Sequence, residues 1–250
     1  MKFLSTSEKR LRQVLNTVIL GFILLSSYFI IWNYFNSLKE AENASLARLT
    51  GIVNSLAQQI NGNMHQFIMD AYPKKGDIAS YNQDSNYLEI HNLLLRNYNA
   101  NMLKTPIYTI VVDSITERCV FGVTSSEIPY FRYDYNSAPA RLIENHKIGA
   151  SISRYQDEFG TWLSAFASIR NSKGDVVAVV QADQKFEEFM ETAQSNIIKN
   201  MAVSFIVFVI LLLMLLRIIE PILKKESNDN EALTISNLRT IEISEQLKIV

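Results

Sequence analysis

Eleven side chains in the 250-residue sequence have the types and spacing of a small-molecule site. Strand-like alternation places Trp162, Ser164 and Phe166 on one face of "TWLSAFASIR", and Gln181 and Asp183 on one face of "DVVAVVQAD". Ser153 and Tyr155 of "GASISRYQ" are expected to join them. The loop "EIPYFRYDYNSAP" supplies Tyr130, Arg132, Tyr133 and Tyr135 as a cover. A concave apolar face with a few convergent polar groups is the usual form of a ligand pocket. Arg132, with its fork of donors, suits a carboxylate. Asp183 has a second reading, as the N-cap of a helix that starts near Lys185 with Glu187 and Glu188 at its positive end.

Catalytic patterns are missing. His65, His91 and His146 are scattered, with no metal-ligand spacing, so neither metal nor cofactor is expected. No nucleophile elbow or phosphate-cradling glycine loop occurs. Asp157 and Glu158 sit adjacent in the turn "DEFG" and read as a solvated hairpin. Cys119 is the sole cysteine, which rules out an internal disulfide and fits a small buried apolar side chain.

The elements that must position this face follow from periodicity. Residues 13–38 carry no charge, nor do residues 200–216. Each run can cross a hydrocarbon core of roughly 30 Å at about 1.5 Å per residue. Expected segments are a basic N-terminus (1–13), a first span (14–35), an outer domain (36–198), a second span (199–219) and a linker helix (220–250). Basic residues cluster before the first span and after the second, which places both termini in the cytoplasm. The outer segment has 14 Lys and Arg against 18 Asp and Glu, and so lacks the basic surface that nucleic acid requires.

Within that segment Leu46, Leu49, Val53, Leu56, Ile60, Met64 and Phe67 recur every three or four residues, a single helical stripe up to Pro73. A shorter helix is expected over 87–102. Five strands lie in 105–114, 118–125, 149–156, 161–170 and 175–183, rich in β-branched residues. A short helix capped by Ser137 separates the second strand from the third. The predicted fold is α+β: two transmembrane helices flank a five-stranded antiparallel sheet packed on a long N-terminal helix. Leu238, Ile241 and Leu247 hint at a dimer seam beyond Pro221.

The stretch "SRYQDEFGTWLSAFASIRNSKGDVVAVVQAD" resembles the end of an extracytoplasmic Cache domain, the PAS-like sensor module of bacterial two-span receptors. The likeness lies in "YQDEFGTWLSAFA", the turn "IRNSKG" and the strand "VVAVV" that ends on Asp before a helix. It implies a PAS-like sheet, a ligand pocket on the face away from the long helix, a homodimer and a home in the bacterial inner membrane. The chain lacks the R-x-x-W pair of amino-acid sensors before its third strand. "SEQLKIV" resembles the linker into the phosphoacceptor helix of sensor histidine kinases, which implies a cytoplasmic signalling module of that type. The alternative is a structural or assembly membrane protein whose outer domain binds a protein or envelope partner through an aromatic patch at Tyr130–Tyr135.

Overall fold

A computed structural model describes residues 6–113 and 115–246. Expectations for Lys2, Leu247 and the end of the Ser244–Val250 stretch fall outside them. The elements are α1 (Thr6–Gln59), α2 (Gly62–Ala71), α3 (Ser85–Ala100), β1 (Tyr108–Val112), β2 (Cys119–Thr124), α4 (Ala140–Asn145), β3 (Ala150–Asp157), β4 (Gly160–Arg170), β5 (Val176–Lys185) and α5 (Phe186–Gln246).

The chain divides into two compact units. One comprises 1–37 with 196–250, the other Leu38–Ser195. In the first, portions of α1 and α5 are long and apolar enough to cross a membrane, and the windows that meet this test are unburied. Leu24, Phe35, Leu211 and Leu213 are among their exposed apolar side chains, and Phe22 stacks on Phe208 at 4.9 Å between ring centroids. Pro221 lies inside α5, which continues through it.

The second unit is an antiparallel sheet of order β2-β1-β5-β4-β3, the PAS-like arrangement. The helix layer covers one face. Leu49, Val53 and Leu56 of α1 are fully buried, as are Leu163 and Ala165 of β4 and Val180 and Ala182 of β5. Ser45 donates to Gln184 Oε1, tying α1 to that side of β5. Small and β-branched side chains on the strands let the helices approach closely.

The expected single stripe breaks at Asn61. Its side chain accepts from Met64 N and caps the start of α2. The rotation brings His65, Ile68 and Met69 inward and leaves Phe67 exposed, so the stripe does not continue through Met64 and Phe67. Gly62 explains the break. A Cβ there would lie 2.2 Å from the Arg170 carbonyl oxygen and 2.9 Å from Asn171 N. The start of α2 therefore sits directly on the β4–β5 turn, where Asn63 accepts from Ser172. The cap expected at Ser137 is also absent. Pro139 precedes α4 with no side-chain cap, and Ser137 instead accepts from Glu158 N. Asp84 caps α3 through Asn86 N and Tyr87 N.

His65 is fully buried between α2 and the sheet, with Nε2 2.8 Å from Thr109 Oγ1. Gly122 makes room for its ring. Nδ1 has no partner, and burial pushes the imidazole pKa down to about 4.

Two outcomes follow for unfolding of the full chain in micelles. Gly62→Ala is expected to lose about 1–3 kcal/mol through overpacking. Gly51→Ala, with nothing near its Cβ position, should gain about 1 kcal/mol from helix propensity. Equal effects would refute the close approach. For His65 the folded pKa lies below the unfolded one, so its contribution is complete above the unfolded value and is lost as pH falls toward the folded value. The window runs from about 6.5 down to about 4. The loss is expected to reach about 3 kcal/mol. A wild-type chain whose stability changes no more steeply across that window than His65→Gln would disprove it.

Candidate functional site

The sheet face away from α1 is filled rather than hollow. Tyr108, Ile110, Phe121, Tyr135, Phe166 and Val179 form its centre, with Tyr130 and Tyr155 packed against them. Phe121 lies edge-on to Tyr108 and Tyr130, at 5.2 and 4.9 Å, and stacks on Tyr135 at 5.2 Å. Such offset and edge contacts add to the area term of a core.

Into this apolar packing β5 sends two polar side chains, Gln181 and Asp183, both buried. Period 2 along β5 puts them on the same face as Val179. Asp183 accepts from Tyr108 Oη through Oδ2, and from Ser164 Oγ and Gln181 Nε2 through Oδ1. Gln181 Nε2 also reaches Tyr108 Oη at 3.0 Å and Tyr155 Oη at 3.4 Å, while its own Oε1 has no partner. Tyr155 Oη lies 2.9 Å from Ser164 Oγ. Among the described residues no cation pairs with Asp183; the recorded ion pair joins Arg118 to Asp134. Burial raises the Asp183 pKa above the ordinary carboxylate value, opposed by its three donors and reinforced by the Asp157 charge. Burial is also the main cause that raises the Tyr108, Tyr135 and Tyr155 phenols, with Asp183 adding in the same direction.

A second carboxylate anchors the rim. Asp157 Oδ2 accepts from Tyr135 Oη at 2.7 Å. Its Oδ1 accepts from Trp162 Nε1 at 2.7 Å and from the backbone of Phe159 and Gly160. The hairpin carboxylate expected to be solvated is therefore half-buried and spoken for.

The structure gathers Tyr135, Tyr155, Trp162, Ser164, Phe166, Gln181 and Asp183 on or around this face. Tyr130 packs at its edge and receives a hydrogen bond from Thr124. The other three lie elsewhere. Arg132, with φ 58°, donates to the carbonyls of Met69 and Tyr72 and so terminates α2. Tyr133 is exposed, with the Lys75 ammonium 4.4 Å from its ring centre. Ser153 is exposed because β3 carries a bulge: three steps from Ile152 to Tyr155 oppose two from Ser164 to Trp162. The extra residue turns Ile152 inward and Ser153 out.

Asp183 is not the cap of α5. β5 continues through Lys185, and α5 begins at Phe186, with Glu187 and Glu188 in its first turn. Tyr108 and Asp157 were missed as site residues. Tyr108 carried one signal, a phenol that alternation places on one face with the apolar Ile110 and Val112; Asp157 carried none that separates it from an ordinary turn residue. Cys119 is buried, and burial pushes its thiol up to about 11, which suits its reading as a small apolar side chain.

A groove of about 510 Å³ lies on the first half of β5, away from Asp183, lined by Val112, His146, Lys147, Arg170 and Val177 among others. Arg170 spends its guanidinium on the carbonyls of Lys147 and Gly174.

No family model matches the chain, and no curated protein does. Solved sensor domains are similar to it. The sensor domain of E. coli DcuS has 9% identity and a TM-score of 0.40, over 61% of this chain and 96% of that one. The ligand-binding domain of the Campylobacter jejuni chemoreceptor Tlp3, in complex with 4-methylisoleucine, has 12% identity and a TM-score of 0.33, over 64% and 62%. The periplasmic domain of RsbU from Chlamydia trachomatis has 12% identity and a TM-score of 0.29, over 65% and 58%. The chain thus spans less than two thirds of the last two domains, and the functional reading rests on its own geometry.

Proposed function

We propose that this chain is the input half of a transmembrane signalling receptor. Residues 14–35 and 199–219 cross the inner membrane of a bacterium. The domain 36–198 lies outside, and both termini are cytoplasmic. A small molecule or a change of conditions acts on the face built around Asp183. The response leaves through α5 to a cytoplasmic module of histidine-kinase type, in a homodimer.

One observation carries this reading. Asp183, the buried charge of the site, stands three residues before Phe186, where α5 begins without any linker. A change in the hydrogen bonds around Asp183 acts on the strand that becomes the output helix. Helix shifts of about 1–2 Å are the scale of such switching. The cue must interact differently with the two states, since equal affinity shifts nothing.

Two measurements test it. In a Cys119→Ser background, a membrane-impermeant maleimide added to intact cells is expected to label Tyr133→Cys and not Lys2→Cys; the reverse pattern removes the topology. In thermal unfolding of the full chain, a cue is recognised as a small molecule or condition that shifts the wild type and not Asp183→Asn. A small-molecule cue at about 100 times its Kd should stabilise by about 2.7 kcal/mol. A chain that answers to no such cue is not a sensor, and the assembly role with a protein partner takes its place.

A further inference from the structure

The two carboxylates of the site are joined by a row of hydroxyls. Asp157 is half-buried at the β3–β4 hairpin, whereas Asp183 is buried beneath the aromatic packing. Tyr135 Oη donates to Asp157 and lies 3.5 Å from Tyr155 Oη. Tyr155 Oη is 2.9 Å from Ser164 Oγ, which donates to Asp183. Each of the three hydroxyls can give one proton and accept another. Tyr108 and Gln181 also bond to Asp183, but neither reaches Asp157.

We propose that Asp183 is a proton-binding site and that Tyr135, Tyr155 and Ser164 form the path by which a proton reaches it from Asp157. As the cue of the receptor proposed above, and resting on that reading for its consequence alone, the ligand is the acidity of the outer medium.

The steps balance. A hydronium ion of the acidified medium first gives its proton to the Asp157 carboxylate and leaves as water, and Asp157 turns from acceptor into donor. The Tyr135 hydroxyl is thereby free to turn toward Tyr155. Tyr135 then takes the Asp157 proton and gives its own to Tyr155. Tyr155 does the same to Ser164, and Ser164 to Asp183 Oδ1. At each hydroxyl one O–H bond forms as another breaks. Asp157 returns to its charged state, and the net change is one proton on Asp183.

The surroundings favour uptake there. Phe121, Tyr135 and Phe166 pack together on this face, and a proton binds without moving them. The titratable groups that face Asp183 are Tyr108 from β1, Tyr130 and Tyr135 from the loop before α4, and Tyr155 and Asp157 from β3. None of them is a cationic side chain. The ammonium of Lys185, on the same strand, lies 5.8 Å from the Trp162 ring centre. An anion without a cation in an apolar setting is driven toward its neutral form. Because the folded pKa is raised, the Asp183 contribution to stability is complete below the unfolded value and is lost as pH rises through the folded one. This sign is opposite to that of His65.

The experiment uses the full chain in lipid nanodiscs and infrared difference spectra on acidification. Aspartate labelled with carbon-13 at its side-chain carboxyl identifies the protonated C=O band by its isotope shift. The expected result is a labelled band that appears at higher pH than that of exposed aspartates and is lost in Asp183→Asn. After a rapid pH jump, Tyr155→Phe should reach the same end point at least about tenfold more slowly, equivalent to about 1.4 kcal/mol of barrier. Should Asp183→Asn fail to fold, the wild-type band and Tyr155→Phe still decide. Absence of an early-titrating aspartate band, or its survival in a folded Asp183→Asn, overturns the site. An unchanged rate in Tyr155→Phe overturns the path. If the proton binds while a probe on α5 stays still, the proton site stands and the receptor reading falls.

Discussion

An unpaired carboxylate inside an aromatic core is the constraint around which the Leu38–Ser195 unit is built. Left without partners, a buried charge is unfavourable by several kcal/mol. Asp183 is held by a tyrosine from β1, a serine from β4 and a glutamine from its own strand. Hydrogen bonds to a charged group contribute about 1.5–3 kcal/mol each, so these three offset part of the burial, and the carboxyl stays above its ordinary pKa. Three adjacent strands must keep their register for the donors to converge. Tyr108 faces Gln181, and Ser164 faces Asp183, as antiparallel partners in that register. A one-residue slip of either pair would send the donors to the helix side of the sheet.

The opposite face obeys a different rule. Its strand side chains are small and its helices lie close. At Gly62 and Gly122 a would-be Cβ would come within 2.2 and 2.4 Å of the Arg170 carbonyl oxygen and of Thr109 Oγ1. Among the buried polar side chains there is His65, held neutral by burial and hydrogen-bonded to Thr109. The sheet thus carries one depressed base on its helix side and one elevated acid on its aromatic side. Acidification acts on them in opposite senses: it destabilises the fold through His65 and favours it through Asp183.

Much of this architecture was legible in the residues. β-branched runs and turn signals located all five strands, and alternation placed Phe166, Gln181 and Asp183 on one face. Three local features escaped. Apolar spacing of 3 and 4 carried on past Gly62, since nothing in the spacing reveals that a carbonyl from residue 170 lies against that glycine. Alternation likewise failed at Ser153, because the bulge that turns it outward is set by pairing with β4. The cap assigned to Asp183 failed because a strand continued two residues longer than its polar ending suggested. Only the tertiary pairing of Lys185 with Trp162 decides that.

The sequence by itself determined which segments are apolar throughout, which alternate and which turn, because those properties belong to single elements and follow from the period of each. Tertiary structure alone decided that Arg132 terminates a helix rather than greeting a ligand, that Tyr108 and Asp157 belong to the site, and that two carboxylates share one row of hydroxyls. Those outcomes depend on which strands become neighbours, and in what register, across separations of 9 to 75 residues. No local pattern encodes such a distance, because the donors that satisfy a buried charge are chosen by the packing that buries it.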